Sequence, residues 1–163
     1  MVKKNKDKDF MCEALNLAQQ AGEMGEVPVG AVVVKNNIII GRGYNRPITT
    51  SDPTSHAEII ALREAALYLC NYRLLNCTMY VTLEPCIMCI GAIFHARIAR
   101  LIYGSRDFKT GACGSVVDIA ANKQLNHHTH ITGTLLEDKS SYLLKEFWMN
   151  YQNTYCKYRQ HTY

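Results

Sequence analysis

Thr78-Met79-Tyr80-Val81-Thr82-Leu83-Glu84-Pro85-Cys86-Ile87-Met88-Cys89 holds the transition on which the fold turns. Its opening residues, Thr78 to Leu83, are β-branched, aromatic and apolar, the composition of a strand. Pro85 has no N–H to give to a sheet ladder and stops it. Cys86 to Ala96 then reads as a helix, and Leu101-Ile102-Tyr103-Gly104 as a second strand. A strand thus hands over directly to a helix whose first turn carries two cysteines three positions apart.

Working outward, Phe10, Ala14, Leu17, Ala18 and Ala21 recur at helical spacing, and Gly22 and Gly25 close that segment. Val29-Gly30-Ala31-Val32-Val33-Val34, the turn Asn36-Asn37 and Ile38-Ile39-Ile40 predict a β-hairpin of two largely buried strands. Gly41 to Ser55, with Gly43, Asn45, Pro47 and Pro53, reads as a loop, and Ala57 to Leu69 as a helix opening at His56. Lys109 to Gly114 is glycine-punctuated and loop-like, and Glu137 to about Arg159 predicts a long terminal helix. Helix, hairpin, helix, strand, helix, strand is the order of an α/β layer structure around a mixed sheet. Without repeats, low-complexity tracts or a linker, residues 1–163 are expected to form a single domain.

A chain of 163 residues, 48% hydrophobic and 20% charged, can bury a core without disulfides. No apolar run approaches the ~20 residues of a membrane span, so no membrane partner is expected. Its start, Met1-Val2-Lys3-Lys4-Asn5-Lys6, leads into an amphipathic segment and not a signal-peptide core, so the expected location is cytoplasmic. The net charge of +4 permits an acidic partner such as nucleic acid without requiring one. Seven cysteines, at 12, 70, 77, 86, 89, 113 and 156, make an odd, scattered set. In a reducing cytosol the Cys86/Cys89 pair reads as metal-binding and the others as small hydrophobes or incidental thiols. A thioredoxin-like redox pair is the rival reading, but it accounts for neither His56 nor Glu58.

Those two residues stand in Ser55-His56-Ala57-Glu58, at the start of another predicted helix. One imidazole and two thiolates can hold zinc and leave the fourth tetrahedral position to water, which separates a catalytic site from a structural one. Helix N-termini favour the thiolate form, and cysteines three apart on a helix share a face. Glu58 beside such a water can move protons, although a glutamate in a first helical turn is also a common solvated residue. A structural site would need a fourth protein ligand, for which Cys77, Cys113 and His95 are the candidates.

His-x-Glu with Pro-Cys-x-x-Cys resembles the signature of the zinc-dependent cytidine/deoxycytidylate deaminase superfamily. Beyond the metal residues, the chain is similar to the bacterial tRNA adenosine deaminases through Glu26-Val27-Pro28-Val29-Gly30-Ala31, Gly43-Tyr44-Asn45-Arg46-Pro47-Ile48 and Asp52-Pro53-Thr54-Ser55-His56-Ala57-Glu58-Ile59. The similarity continues in Tyr80-Val81-Thr82-Leu83-Glu84-Pro85-Cys86 and Arg106-Asp107-Phe108-Lys109-Thr110-Gly111. The resemblance implies a three-layer α/β/α cytidine-deaminase-like fold with a central mixed sheet. It further implies one zinc per subunit on His56, Cys86 and Cys89, with Glu58 as proton shuttle. Zinc-activated hydroxide would attack carbon 6 of adenine, and Asn45 would hydrogen-bond the base. The implied substrate is the wobble adenosine of a tRNA anticodon stem-loop, converted to inosine by a homodimer.

The family usually ends in a helix with adjacent phenylalanines and several arginines. Here that place reads Phe147-Trp148-Met149-Asn150-Tyr151-Gln152, with Lys157 and Arg159 only later. Phe108 and Cys113 likewise stand where small residues are more usual. Two alternatives remain beside the leading expectation: a free nucleobase or nucleoside deaminase of guanine or cytidine type, and a non-catalytic, zinc-stabilised RNA-binding module.

Overall fold

The computed structural model describes the backbone of residues 2–159 and the side chains of residues 6–152, so Lys157 and Arg159 lie outside the described side chains. The order is α1 (Val2–Glu23), β1 (Gly30–Lys35), β2 (Ile38–Tyr44), α2 (Pro47–Thr50), α3 (Ala57–Leu69), β3 (Thr78–Leu83), α4 (Ile87–His95), β4 (Arg100–Ser105), β5 (His130–Thr132) and α5 (Glu137–Arg159). The sheet runs β2-β1-β3-β4-β5. β1 is antiparallel to β2 and β3, while β3, β4 and β5 are mutually parallel, which makes the sheet mixed.

Alternate strand residues point to opposite faces, and both faces are apolar. Ala31, Val33, Met79, Val81, Leu101 and Tyr103 pack with Ala57, Ala61 and Ala65 of α3 and Ile90 and Ile93 of α4. Their neighbours Val32, Val34, Tyr80 and Ile102 pack with Met11, Ala14 and Leu15 of α1, and Leu143 of α5 joins them. The result is three layers, with α1 and α5 on one face and α3 and α4 on the other.

β2 runs through Gly41 and Gly43 to Tyr44, and α2 follows, so only part of the expected loop from Gly41 to Ser55 is a loop. The glycines serve close approach, not chain reversal. A methyl group at Gly43 would lie 2.1 Å from the Ala57 carbonyl oxygen, and one at Gly41 would lie 2.3 Å from that of Ala61. Ala57, Ala61 and Ala65 form the matching stripe on α3 and are fully buried. Strand and helix therefore meet backbone to backbone, an arrangement that looks like glycine punctuation when read along the chain.

Two further elements differ from expectation. β5 is a three-residue edge strand with little apolar signal. α1 begins well before Phe10, because Asp7 anchors its first turns to the sheet. Asp7 accepts two bonds from Arg100, at 2.7 and 3.0 Å, and one from the Tyr80 hydroxyl at 2.6 Å.

Buried and turn-forming carboxylates fasten the loops. Glu26 accepts from the Thr49 amide and hydroxyl at 2.7 and 2.8 Å, holding α2 against the end of α1. Asp52 accepts from the Thr54 amide and hydroxyl and from the Ser55 hydroxyl, at 2.7 to 2.8 Å, just before His56. Glu84 is only 2% exposed and accepts from the amides of Asp107, Cys113 and Ser115 at 3.0, 2.9 and 3.1 Å, and from the Ser115 hydroxyl. One side chain thereby holds residues 107–115 against the segment that leads into Cys86.

Gly43→Ala should destabilise the chain by about 2 kcal/mol through overpacking, read as a lower urea midpoint at unchanged slope. A change below ~0.5 kcal/mol would refute the close packing of α3 on β2. Burial raises the Glu84 carboxyl, but its hydroxyl and amide donors outweigh that and hold it below its ordinary value of 4.5. Its contribution is therefore present above that value and lost as pH falls through the lower, folded one. Glu84→Gln should weaken the fold at neutral pH and show a smaller further loss in acid, measured by denaturation at pH 7 and pH 3.

Candidate metal centre and active site

The two helices that face the same side of the sheet both start with a potential metal ligand in the N-cap position. His56 precedes α3 with φ −76° and ψ 153°, and Cys86 precedes α4 with φ −76° and ψ 175°. An N-cap side chain ordinarily accepts from its own helix's first amides. Neither His56 nor Cys86 does so, and their side chains meet each other instead. His56 Nδ1 lies 3.7 Å from Cys86 Sγ and 3.5 Å from Cys89 Sγ. Asn45 supplies the missing cap from another segment: its Oδ1 accepts the Ala57 amide at 2.9 Å.

These distances suit a metal. Tetrahedral zinc, with bonds of ~2.3 Å to sulfur and ~2.0–2.1 Å to nitrogen, holds such atoms about 3.6 Å apart. The three ligand atoms lie within 4.8 Å of one another, and among the described residues no fourth residue joins them. Cys77, Cys113 and His95, the candidates for a closed structural site, are not in the cluster. Burial pushes the Cys113 thiol up to about 12, so it keeps its proton. The donor set of one imidazole and two sulfurs fits zinc with a position left open.

Electrostatics within the cluster favour ligation. The Cys86 thiol is drawn down to about 4, first by the bond from the Cys89 thiol and then by His56. The same contact and burial push Cys89 the other way, so the two sulfurs share one proton. A divalent cation between them displaces that proton. His56 is raised chiefly by its bond with Cys86. Both helix N-termini point their partial positive charge at the sulfurs, which stabilises thiolate.

Glu58 stands in the first turn of α3 and is buried, which excludes the reading of a solvated helix residue. Burial pushes its carboxyl up to about 7, with His56 and the Cys89 thiol opposing. A bound cation draws it back toward the ordinary carboxylate range through its charge. Glu58 can thus hold or release a proton beside the ligand set. Asn45 is buried too; its backbone amide donates to Val29 at 3.0 Å, and its side-chain oxygen is committed to α3. It stands at the helix start that carries His56, where its amide nitrogen takes no part in the cap.

The loop after β4 forms the other wall. Gly111 pairs with Cys86 in an antiparallel bridge, and the Ala112 amide donates to the Pro85 carbonyl at 2.9 Å. Asp107 accepts from the amides of Lys109 and Thr110 and from the Thr110 hydroxyl, closing a tight turn. Sequence reasoning missed Glu26, Asp52 and Glu84 as fasteners of this site. The available signal was Glu84 itself, an acidic residue between a buried strand and a metal-binding helix.

Residues 4–105 match the family model of the cytidine and deoxycytidylate deaminase zinc-binding region, and the cluster of His56, Cys86 and Cys89, which could hold that metal, lies within them. The tRNA-specific adenosine deaminase of Haemophilus influenzae is 50% identical over 147 residues, covering 90% of this chain and 85% of that protein. The protein of the same description from Buchnera aphidicola subsp. Baizongia pistaciae is 48% identical over 155 residues, covering 93% and 94%. A solved structure from studies of A-to-I editing by tRNA:A34 deaminases aligns with a TM-score of 0.81 at 43% identity, over 83% of this chain and 99% of that one. The layered sheet and the matched sequence agree: this is the three-layer α/β/α cytidine-deaminase-like fold, and the chain belongs to the cytidine and deoxycytidylate deaminase family, with the tRNA-specific adenosine deaminases.

Proposed function

We propose that the chain converts adenosine to inosine by hydrolysis at the wobble position of a tRNA anticodon loop. In this reading residues 1–163 act as one domain, two copies form a homodimer, and the enzyme works in the cytoplasm; none of the described helices is long and apolar enough to cross a membrane. His56, Cys86 and Cys89 hold one zinc per subunit, Glu58 carries the proton, and Asn45 contacts the base. The observation that carries this reading is the meeting of three ligands and one buried carboxylate at two helix starts. The relatives named above support the choice of substrate.

When bound, zinc supplies Lewis acidity that makes an attacking water acidic near neutral pH. Glu58 takes a proton from that water as its oxygen adds to carbon 6, and delivers it to ring nitrogen N1. A second proton passes through Glu58 to the exocyclic amine, the carbon–nitrogen bond breaks and ammonia leaves. Water and adenosine thus give inosine and ammonia, and Glu58 ends as it began. Asn45, whose side-chain oxygen caps α3, offers its amide nitrogen as a donor to the purine edge. The target must be unstacked for its ring to reach this centre, as single-stranded loops allow.

Incubating the zinc-loaded protein separately with an anticodon stem-loop, adenosine, guanine and cytidine tests the substrate. Inosine is expected only in the stem-loop; turnover of a free base with none in the RNA would sink the proposal in favour of a free-base deaminase. Glu58→Gln should keep zinc and fold but lose about 10²–10⁴-fold in kcat. Wild-type turnover by this variant would remove Glu58 from the mechanism, and a wild-type protein without any turnover would favour the binding-module reading. Cys86→Ser should bind well under one zinc per chain by metal analysis and melt at a lower temperature.

A further inference from the structure

Thr82 lies on the strand that leads into Cys86, is only 2% exposed, and carries a hydroxyl that the metal centre does not use. Its partner is on another strand: the Gly30 amide donates to Thr82 Oγ1 at 3.1 Å. The backbone explains this bond. β1 and β3 pair from Val34 and Thr78 to Ala31 and Val81, and the ladder ends there. Gly30 is buried and begins β1 one residue beyond that end. A buried amide without an acceptor is costly. The Thr82 side chain takes the amide that the ladder leaves over.

Gly30 is held on its other sides as well. A methyl group there would run into the Ala14 carbonyl oxygen and the Ala18 amide nitrogen, so α1 rests directly on its backbone. On β2, Gly30 pairs with Tyr44, and the Val29 carbonyl takes the Asn45 amide at 3.0 Å. Asn45 in turn accepts the Ala57 amide at 2.9 Å, at the helix start that carries His56. Hydrogen bonds therefore run from Thr82 to Gly30, from Val29 to Asn45, and from Asn45 to Ala57. One end of this relay is on the strand that delivers Cys86 and Cys89, and the other is on the helix that delivers His56 and Glu58. β1 lies between β3 and β2 in the sheet, so the start of β1 has to carry the connection.

Thr82 does not itself face the site. Alternate residues of a strand share a face, and Tyr80 packs with Met11 and Ala14 of α1, so Thr82 lies on the side of the sheet away from α3 and α4. It can act on the site only through Gly30. We infer that Thr82 is a positioning residue for the reaction: its hydroxyl anchors the start of β1, so that Asn45 presents its amide nitrogen to the purine edge in register with Cys86 and Cys89. This rests on the reading above, which gives Asn45 that contact, and adds what holds Asn45 in place. Valine would match threonine in shape but offer the Gly30 amide no acceptor.

The test compares Thr82→Val with Thr82→Ser in the zinc-loaded full chain, assayed on an anticodon stem-loop with rates expressed per bound zinc. Thr82→Val should keep its zinc but lose about tenfold to a hundredfold in kcat/KM, the scale of a misplaced orienting group. Thr82→Ser keeps the acceptor and should stay within about threefold of the parent. Asn45→Asp retains the oxygen that caps α3 but removes the donor to the purine. In that background Thr82→Val should cost less than about threefold more, because the group it positions is already gone. A Thr82→Val enzyme within about twofold of the parent, an equal loss in the Ser variant, or full additivity with Asn45→Asp overturns the assignment. Amide hydrogen exchange reads the relay without substrate: Thr82→Val should speed exchange at Gly30 and Asn45 by about tenfold or more, and unchanged protection overturns it. Should Thr82→Val fail to fold, the wild-type protein decides, since a Gly30 amide that exchanges as fast as in an open chain refutes the bond. The two ideas therefore fail separately: a wild-type protein that makes no inosine defeats the editing reading, while exchange at Gly30 and Asn45 still decides the relay.

Discussion

Gly41 and Gly43 let α3 rest backbone to backbone on β2, and the position of His56 is referred to that contact. A helix lying even one methyl further from the strand would carry its first residue away from Cys86 and Cys89, which are placed independently by β3 and α4. Metal coordination tolerates errors of only a few tenths of an ångström. The site therefore needs two helices registered on one sheet, one by glycine–alanine contact and the other by direct continuation of a central strand.

Around that frame the loops are fastened by carboxylates as well as by apolar contact. Glu26 fastens the turn at α2, Asp52 the approach to His56, and Glu84 the segment that runs beside Cys86. An ionised carboxylate accepts several backbone amides at once, and bonds to a charged acceptor are stronger than neutral ones. Loops that would otherwise sample many conformations thus reach the metal centre in one arrangement. The same chain of bonds reaches α5 through Asp107 and Lys109.

Much of this was legible in the sequence. The strand from Thr78 to Leu83, the helices beginning at His56 and Cys86 and the hairpin around Asn36-Asn37 carry strong local patterns, and the structure has them where expected. β2 beyond Ile40 was not legible, because a glycine kept for close packing and a glycine kept for a turn look alike along the chain. β5 was not, because three residues on a sheet edge need no apolar pattern of their own. The four residues proposed for the metal centre stand out by type and spacing, and the structure brings His56, Cys86 and Cys89 together with Glu58 buried beside them.

Residue chemistry alone determined what this protein could bind and catalyse: an imidazole and two thiols can hold zinc, and a glutamate two positions from the histidine can carry its protons. What only the tertiary structure decided was the relation between segments far apart in the chain. No local pattern shows that Asn45 caps α3, that Glu84 gathers residues 107–115, or that Lys109 lies over Trp148. Those contacts arise because parallel strands deliver their following loops to the same edge of the sheet, and that proximity is a property of the packed sheet, absent from any single stretch of sequence.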